Sequence, residues 1–176
     1  MGACKNMKKE IQIFSLLLAL IFLLCSCQKE KIYCEELLTV GLEYGIDNYS
    51  DNGYVFLKSA DMSSVFFMSE KIKDSMYGEK FKSTLAATAD FAIYVSASNC
   101  YELAVFECYS KNDIDEILRM CYERADEIKI ALRFTEWELQ SKGIIVEVYK
   151  KYVIFAFTES QEVNEGVMEV IKQLLN

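Results

Sequence analysis

The sequence predicts an α+β fold: a four-stranded antiparallel sheet from a ββα-ββα arrangement, its helices packed on one face and preceded by N-terminal helices. Three observations predict it. Two pairs of β-branched and aromatic runs are each joined by a short connection. A segment with apolar residues at helical spacing follows each pair. The two strand-to-helix junctions also match one another 49 residues apart, aligning Phe106 with Phe155 and Glu116 with Glu165, as a duplication would.

Taken in order, residues 1–27 read as an address. Lys5, Lys8 and Lys9 form a basic stretch and Ile11 to Cys25 an almost wholly apolar one, the layout of a secretory signal. The apolar run is short against the roughly 20 helical residues that span ~30 Å of hydrocarbon, and Lys29 and Lys31 follow at once, which disfavours a retained membrane helix. Leu24-Cys25-Ser26-Cys27 resembles the bacterial lipobox, in which a branched apolar residue and two small residues precede a cysteine that takes lipid through its sulfur. Cys25 departs from the alanine, serine or threonine usual at its position. The resemblance implies cleavage before Cys27, with 1–26 as signal peptide, 27–32 as a lipidated tether and 33–176 as a single α+β domain. It places the chain at the cell membrane, lipid-anchored on the extracytoplasmic face. Two acyl chains, at about 0.8 kcal/mol per buried methylene, give lasting attachment. Met1-Gly2 is no myristoylation signal, because Asn6 stands where Ser or Thr is required.

Within the domain, Leu37, Leu38 and Leu42 fall at helical spacing over Tyr33 to Gly45, where the glycine marks a stop. Asp47 to Gly53 is a loop by composition, and Gly53 to Lys58 is compatible with a short strand. Met62, Val65, Phe66, Ile72 and Met76 read as one helix ending at Gly78. Asp90–Ser96 and Glu102–Tyr109 form the first hairpin across Ala97–Tyr101. Ser110 or Asn112 caps the next helix, with Asp113, Asp115 and Glu116 near its positive end. Ile114, Ile117, Leu118, Cys121, Ala125, Ile128 and Leu132 make its apolar face, and Arg119, Glu123, Arg124, Asp126 and Lys129 its polar one. Gly143–Tyr149 and Tyr152–Thr158 form the second hairpin about Lys150-Lys151. A last helix carries Val163, Val167, Val170, Ile171 and Leu174.

The order of these elements resembles a family of small lipoproteins from Gram-positive, clostridia-like bacteria, built around a domain of unknown function. The residues that carry the resemblance are the lipobox, Ala92-Ile-Tyr-Val95, Glu102-Leu-Ala-Val-Phe106, the Asp113-Ile-Asp-Glu116 helix start and Lys151-Tyr-Val-Ile-Phe155. Family members often have a proline after the long helix, where this chain has Phe134-Thr-Glu-Trp-Glu-Leu139. The resemblance implies a lipid-anchored extracytoplasmic protein and carries over no active site.

Composition narrows the chemistry. The 176 residues, 52% hydrophobic and 26% charged, suit one folded domain. There is no histidine, which excludes Ser-His-Asp and Cys-His catalysis and every histidine-containing zinc site. There is no proline to stiffen a linker. Loss of residues 1–26 removes three lysines and one glutamate, taking the net charge from −8 to −10. So acidic a surface repels phosphate backbones, which argues against nucleic acid as a partner. Neither a cofactor fingerprint nor a metal-ligand spacing is present.

Cys34, Cys100, Cys108 and Cys121 remain once Cys4 and Cys25 are removed and Cys27 is acylated. Four cysteines permit three full pairings, while Cys108 and Cys121 also suit small core positions. Glu136 and Glu138 flank Trp137: a carboxylate pair for glycoside chemistry, or a polar turn beneath a tryptophan that covers the sheet end. Tyr94, Tyr101, Tyr109, Tyr149 and Tyr152 lie on or beside the hairpins, as half-buried strand residues or as a protein- or glycan-contact surface. The leading functional expectation is a noncatalytic, lipid-anchored binding or assembly module with the membrane and an envelope protein as partners. The alternative is a small envelope enzyme, a carboxylate- or cysteine-dependent hydrolase acting on cell-wall material; an exposed, reactive Cys100 would favour it.

Overall fold

The computed structural model describes residues 31–176, and Ile32–Asn176 make one compact unit. The expected signal segment and the expected lipidation site Cys27 lie outside the described residues. Among those residues, no helix is long and apolar enough to cross a membrane.

The fold is α+β, with a fifth strand beyond the four expected. β1 (Gly53–Leu57), β2 (Asp90–Ser96), β3 (Glu102–Glu107), β4 (Ile145–Tyr149) and β5 (Tyr152–Phe157) form one antiparallel sheet in the order β1-β2-β3-β5-β4. Both hairpins form where the sequence predicts them. Around the sheet lie α1 (Cys34–Gly45), α2 (Tyr49–Asn52), α3 (Glu70–Tyr77), a 3-10 turn (Glu79–Phe81), α4 (Lys82–Ala87), α5 (Lys111–Ala131), α6 (Glu138–Ser141) and α7 (Gln161–Leu175).

The expectation that the helices share one face is corrected. On one face Phe91, Ile93, Phe106, Phe155 and Phe157 pack under α3, α4 and α5. On the other, Ala92, Leu103, Val105, Ile154 and Ala156 pack under α1 and α7. β3 and β5 are buried along their whole length, so both faces of the sheet are apolar and each must be covered.

The two strand-to-helix junctions correspond at a spacing of 50 residues, one more than the expected 49. Ser110 and Ser160, 50 apart, both cap helices by accepting the amide of the third helical residue, Asp113 or Val163. β3 and β5 begin 50 apart, and so do the buried pairs Ile117/Val167, Cys121/Ile171 and Ala125/Leu175. Successive strand residues face opposite sides, so residues equivalent at this spacing point to opposite faces. Phe106 and Phe155, matched at 49, do share a face, but their helices do not.

One further element is shorter than its apolar spacing suggests. Only Glu70–Tyr77 of the Met62–Gly78 stretch is helical, capped by the Ser69 hydroxyl and ended by Gly78 at φ 78°. Turns occupy the residues before it, and Met62 and Val65 stand in solvent.

The strand register gives the sheet two ends. At the near end Leu57, Asp90, Glu107 and Tyr152 terminate or begin strands, and the described chain arrives there. The Tyr152 hydroxyl donates to the Ile32 carbonyl (3.4 Å) and the Cys34 amide to the Asp90 carboxylate (3.1 Å). Gly53, Ser96, Glu102 and Phe157 mark the far end, about 20 Å away at ~3.3 Å per strand residue.

Candidate functional site

At the near end a row of polar groups crosses three strands beneath the start of α1. Asp90 lies opposite Glu107, and Glu107 opposite Tyr152. Asp90 caps α1 from a distance: one carboxylate oxygen takes the Cys34 amide and the other its own neighbour Phe91 (2.9 Å), an anion set at a helix N-terminus. Glu107 is ion-paired with Lys151. Burial, then Asp90 and Glu107, push the Cys34 thiol well above the usual range. Burial first, then Glu107, raise the Tyr152 phenol to about 12. Every one of these shifts keeps a proton on the would-be nucleophile, so the cluster fastens α1 to the sheet and offers no thiolate.

The far end is different in kind. Tyr44, Gly45, Ile46 and Asp47 at the end of α1, Asn99 and Tyr101 of the β2–β3 loop, and Glu159 and Val163 before and within α7 line a cleft of about 180 Å³. Tyr44 is held there because Gly166 of α7 leaves it room: a methyl group on that glycine would come within 2.3 Å of the ring. Tyr101 is fixed edge-on between Trp137 and Phe157, each 6.0 Å away. Burial, then the nearby Glu159, raise its phenol. Two carboxylates, two phenols and a carboxamide with no basic side chain suit hydrogen-bond donors and cationic groups. Beneath the same end, Glu102 is buried, taking Tyr77 on Oε1 (3.1 Å) and the Arg124 guanidinium on Oε2 (2.9 and 2.8 Å).

The residues singled out in the sequence are mostly not brought together. Tyr94 and Tyr152 are core residues, Tyr101 lines the cleft, and Tyr109 is exposed at the near end, so the tyrosines form no common surface. Glu136 is exposed, while Glu138 accepts the Phe134 amide (2.9 Å) and pairs with Lys142 (3.6 Å). The pair does not converge: Glu138 fastens the turn in which Phe134 takes φ 67°, and Trp137 packs over the sheet end. Asp113 closes a capping box with Ser110. Cys34, Cys100, Cys108 and Cys121 are all free thiols, Cys100 alone of them exposed, at φ 58° in the hairpin loop. Burial pushes the Cys108 thiol up to about 11 and the Cys121 thiol well above its usual range. Among the described residues no group of histidine, cysteine, aspartate or glutamate could hold a metal ion.

Sequence reasoning missed Tyr44, Asp47, Asn99 and Glu159, which sit at three element ends that only the sheet order brings together. It also placed Arg124 on the polar face of α5, where the structure turns it towards Glu102. The one available signal was Glu102 itself, a carboxylate opening a strand whose next four residues are apolar. No family model, no curated protein and no solved structure matches this chain.

Proposed function

We propose that this chain is an extracytoplasmic lipoprotein, a noncatalytic binding or assembly module of the cell envelope held to the membrane by lipid on Cys27. The observation that carries it is Leu24-Cys25-Ser26-Cys27 at the close of an apolar run behind Lys5, Lys8 and Lys9. The resemblance to the clostridia-like lipoprotein family belongs to the same proposal. The arrangement of the domain is compatible with it: Ile32, its first residue, is bonded to Tyr152 at the near end, and the cleft of Tyr44, Asp47, Asn99, Tyr101 and Glu159 lies at the far end. There it is free to take an envelope protein through a basic or amide-bearing segment. Thiols held protonated at Cys34, Cys108 and Cys121 speak against a hydrolase built on them.

The test is the intact mass and membrane partitioning of the chain made in a bacterial host, beside Cys27→Ala. The expected mature form begins at an acylated Cys27 and sediments with membranes, while the variant stays unprocessed. An unmodified chain that keeps residues 1–26 would overturn the reading.

A further inference from the structure

The connection between β1 and α3 leaves the sheet at the near end, one strand away from Asp90 and the start of α1. It carries three apolar side chains that the fold does not cover: Met62 is 86% exposed, Val65 85% and Phe66 45%. Single exposed apolar residues are ordinary on a protein surface, but here three fall within five positions of one connection. The turn is built to display them. The Asp61 carboxylate accepts the Ser63 amide (2.9 Å) and hydroxyl (2.6 Å), the Ser64 hydroxyl accepts the Phe66 amide (3.1 Å), and the Leu57 amide donates to the Phe66 carbonyl (3.0 Å). These polar groups are bonded to one another, so side chains are what the turn presents outward. Exposed Tyr33, before α1, and Tyr109, after β3, stand at the same end.

We infer that the near end of the domain rests on the lipid bilayer, with Met62, Val65 and Phe66 set into the boundary between headgroups and acyl chains. The inference rests on lipidation at Cys27. Cys27 precedes Ile32 by five residues, and five residues reach at most about 18 Å. Ile32 is fixed at the near end by Tyr152, so an anchored Cys27 keeps this end within that reach of the membrane surface. Apolar residues, with tyrosines at the same end, are what a bilayer interface accepts, to a depth of ~5–10 Å. At a net charge of −10 the mature chain as a whole is repelled by anionic headgroups, so the apolar contact is best read on zwitterionic lipid.

The test places an indole in the turn of the full lipidated chain, as Val65→Trp, in phosphatidylcholine vesicles brominated on their acyl chains. Trp137, the only tryptophan of the parent, packs at the far end and reports on that end. The expected result is about a twofold loss of the emission added by Val65→Trp relative to unbrominated vesicles, with parent emission unchanged. Added emission that bromine leaves alone, on a chain whose mass shows an acylated Cys27, overturns the inference and leaves the anchor standing. Quenching of Trp137 instead puts the far end on the lipid and overturns it too. A mass without lipid on Cys27 removes the anchor and this inference together.

Discussion

Glu102 shows what a single buried charge demands. Its side chain is 1% exposed, yet it opens a strand inside an apolar core. A carboxylate there is tolerable only because Oε1 accepts Tyr77 and Oε2 accepts two guanidinium N–H groups of Arg124. Arg124→Ala leaves the charge with one neutral donor, and the expected loss is about 3–5 kcal/mol, read as a lower urea midpoint at unchanged slope. Removing both charges, as Glu102→Leu with Arg124→Leu, should return most of that loss, since well-packed apolar residues often replace a buried pair without penalty. A double variant as unstable as Arg124→Ala would show that the pair does more than neutralise itself. None of this was legible from the spacing along α5, which assigns Arg124 to the solvent side. Helical periodicity resolves a face to about a third of the circumference, and a long side chain at its border reaches either way.

At the scale of elements, close approach decides where α1 lies. A methyl group on Gly41 would sit 2.8 Å from Leu103 and 3.1 Å from Ile171; one on Gly45 would sit 2.6 Å from Val167. The two glycines bring α1 down onto the sheet and against α7, whose Gly166 accepts the Tyr44 ring in return. Gly41→Leu should therefore lever the helices apart at a cost of about 1–3 kcal/mol beyond any helix propensity gained. For a domain of this size that lowers the melting temperature by roughly 2–4 °C per kcal/mol. An unchanged melting temperature would mean that α1 shifts freely and that Tyr44 is not fixed in the cleft. The elements themselves were largely legible. The Asp90–Glu107 and Ile145–Phe157 hairpins and the Ser110-capped helix carry strong local signals: alternation, turn residues and a cap. Which face each helix covers was not. β3 and β5 are buried on both sides, and a strand without apolar–polar alternation carries no record of its facing. The five residues of β1 lack a hairpin partner in sequence, so their pairing with β2 across the intervening helices had no local signature.

For the whole molecule, the thiols set a limit at alkaline pH. Cys34 lies in the core between the sheet and α1 and α7, Cys108 and Cys121 in the core on the opposite face, so a change in all three acts on both layers at once. Burial is the main cause of each raised pKa. Nearby carboxylates add to it: Asp90 and Glu107 at Cys34, Asp113 and Glu107 at Cys108, Glu102 at Cys121. Below the ordinary thiol range, near 9, folded and unfolded chains both hold these protons and stability does not depend on them. Above it the unfolded chain ionises while the folded chain does not. The unfolded state then binds fewer protons, and stability falls with pH by about 1.4 kcal/mol per unit for each thiol. The decline from Cys108 should level off near its folded value of about 11, while that from Cys34 continues beyond. Urea midpoints measured under reducing conditions from pH 7 to 11 should accordingly hold level to about pH 8.5 and then drop, more shallowly in Cys121→Ala once its loss at neutral pH is subtracted. A midpoint flat to pH 11 would show that the buried thiols ionise in the folded chain. That would also reopen the cysteine-dependent hydrolase, because a thiolate would then exist in this core.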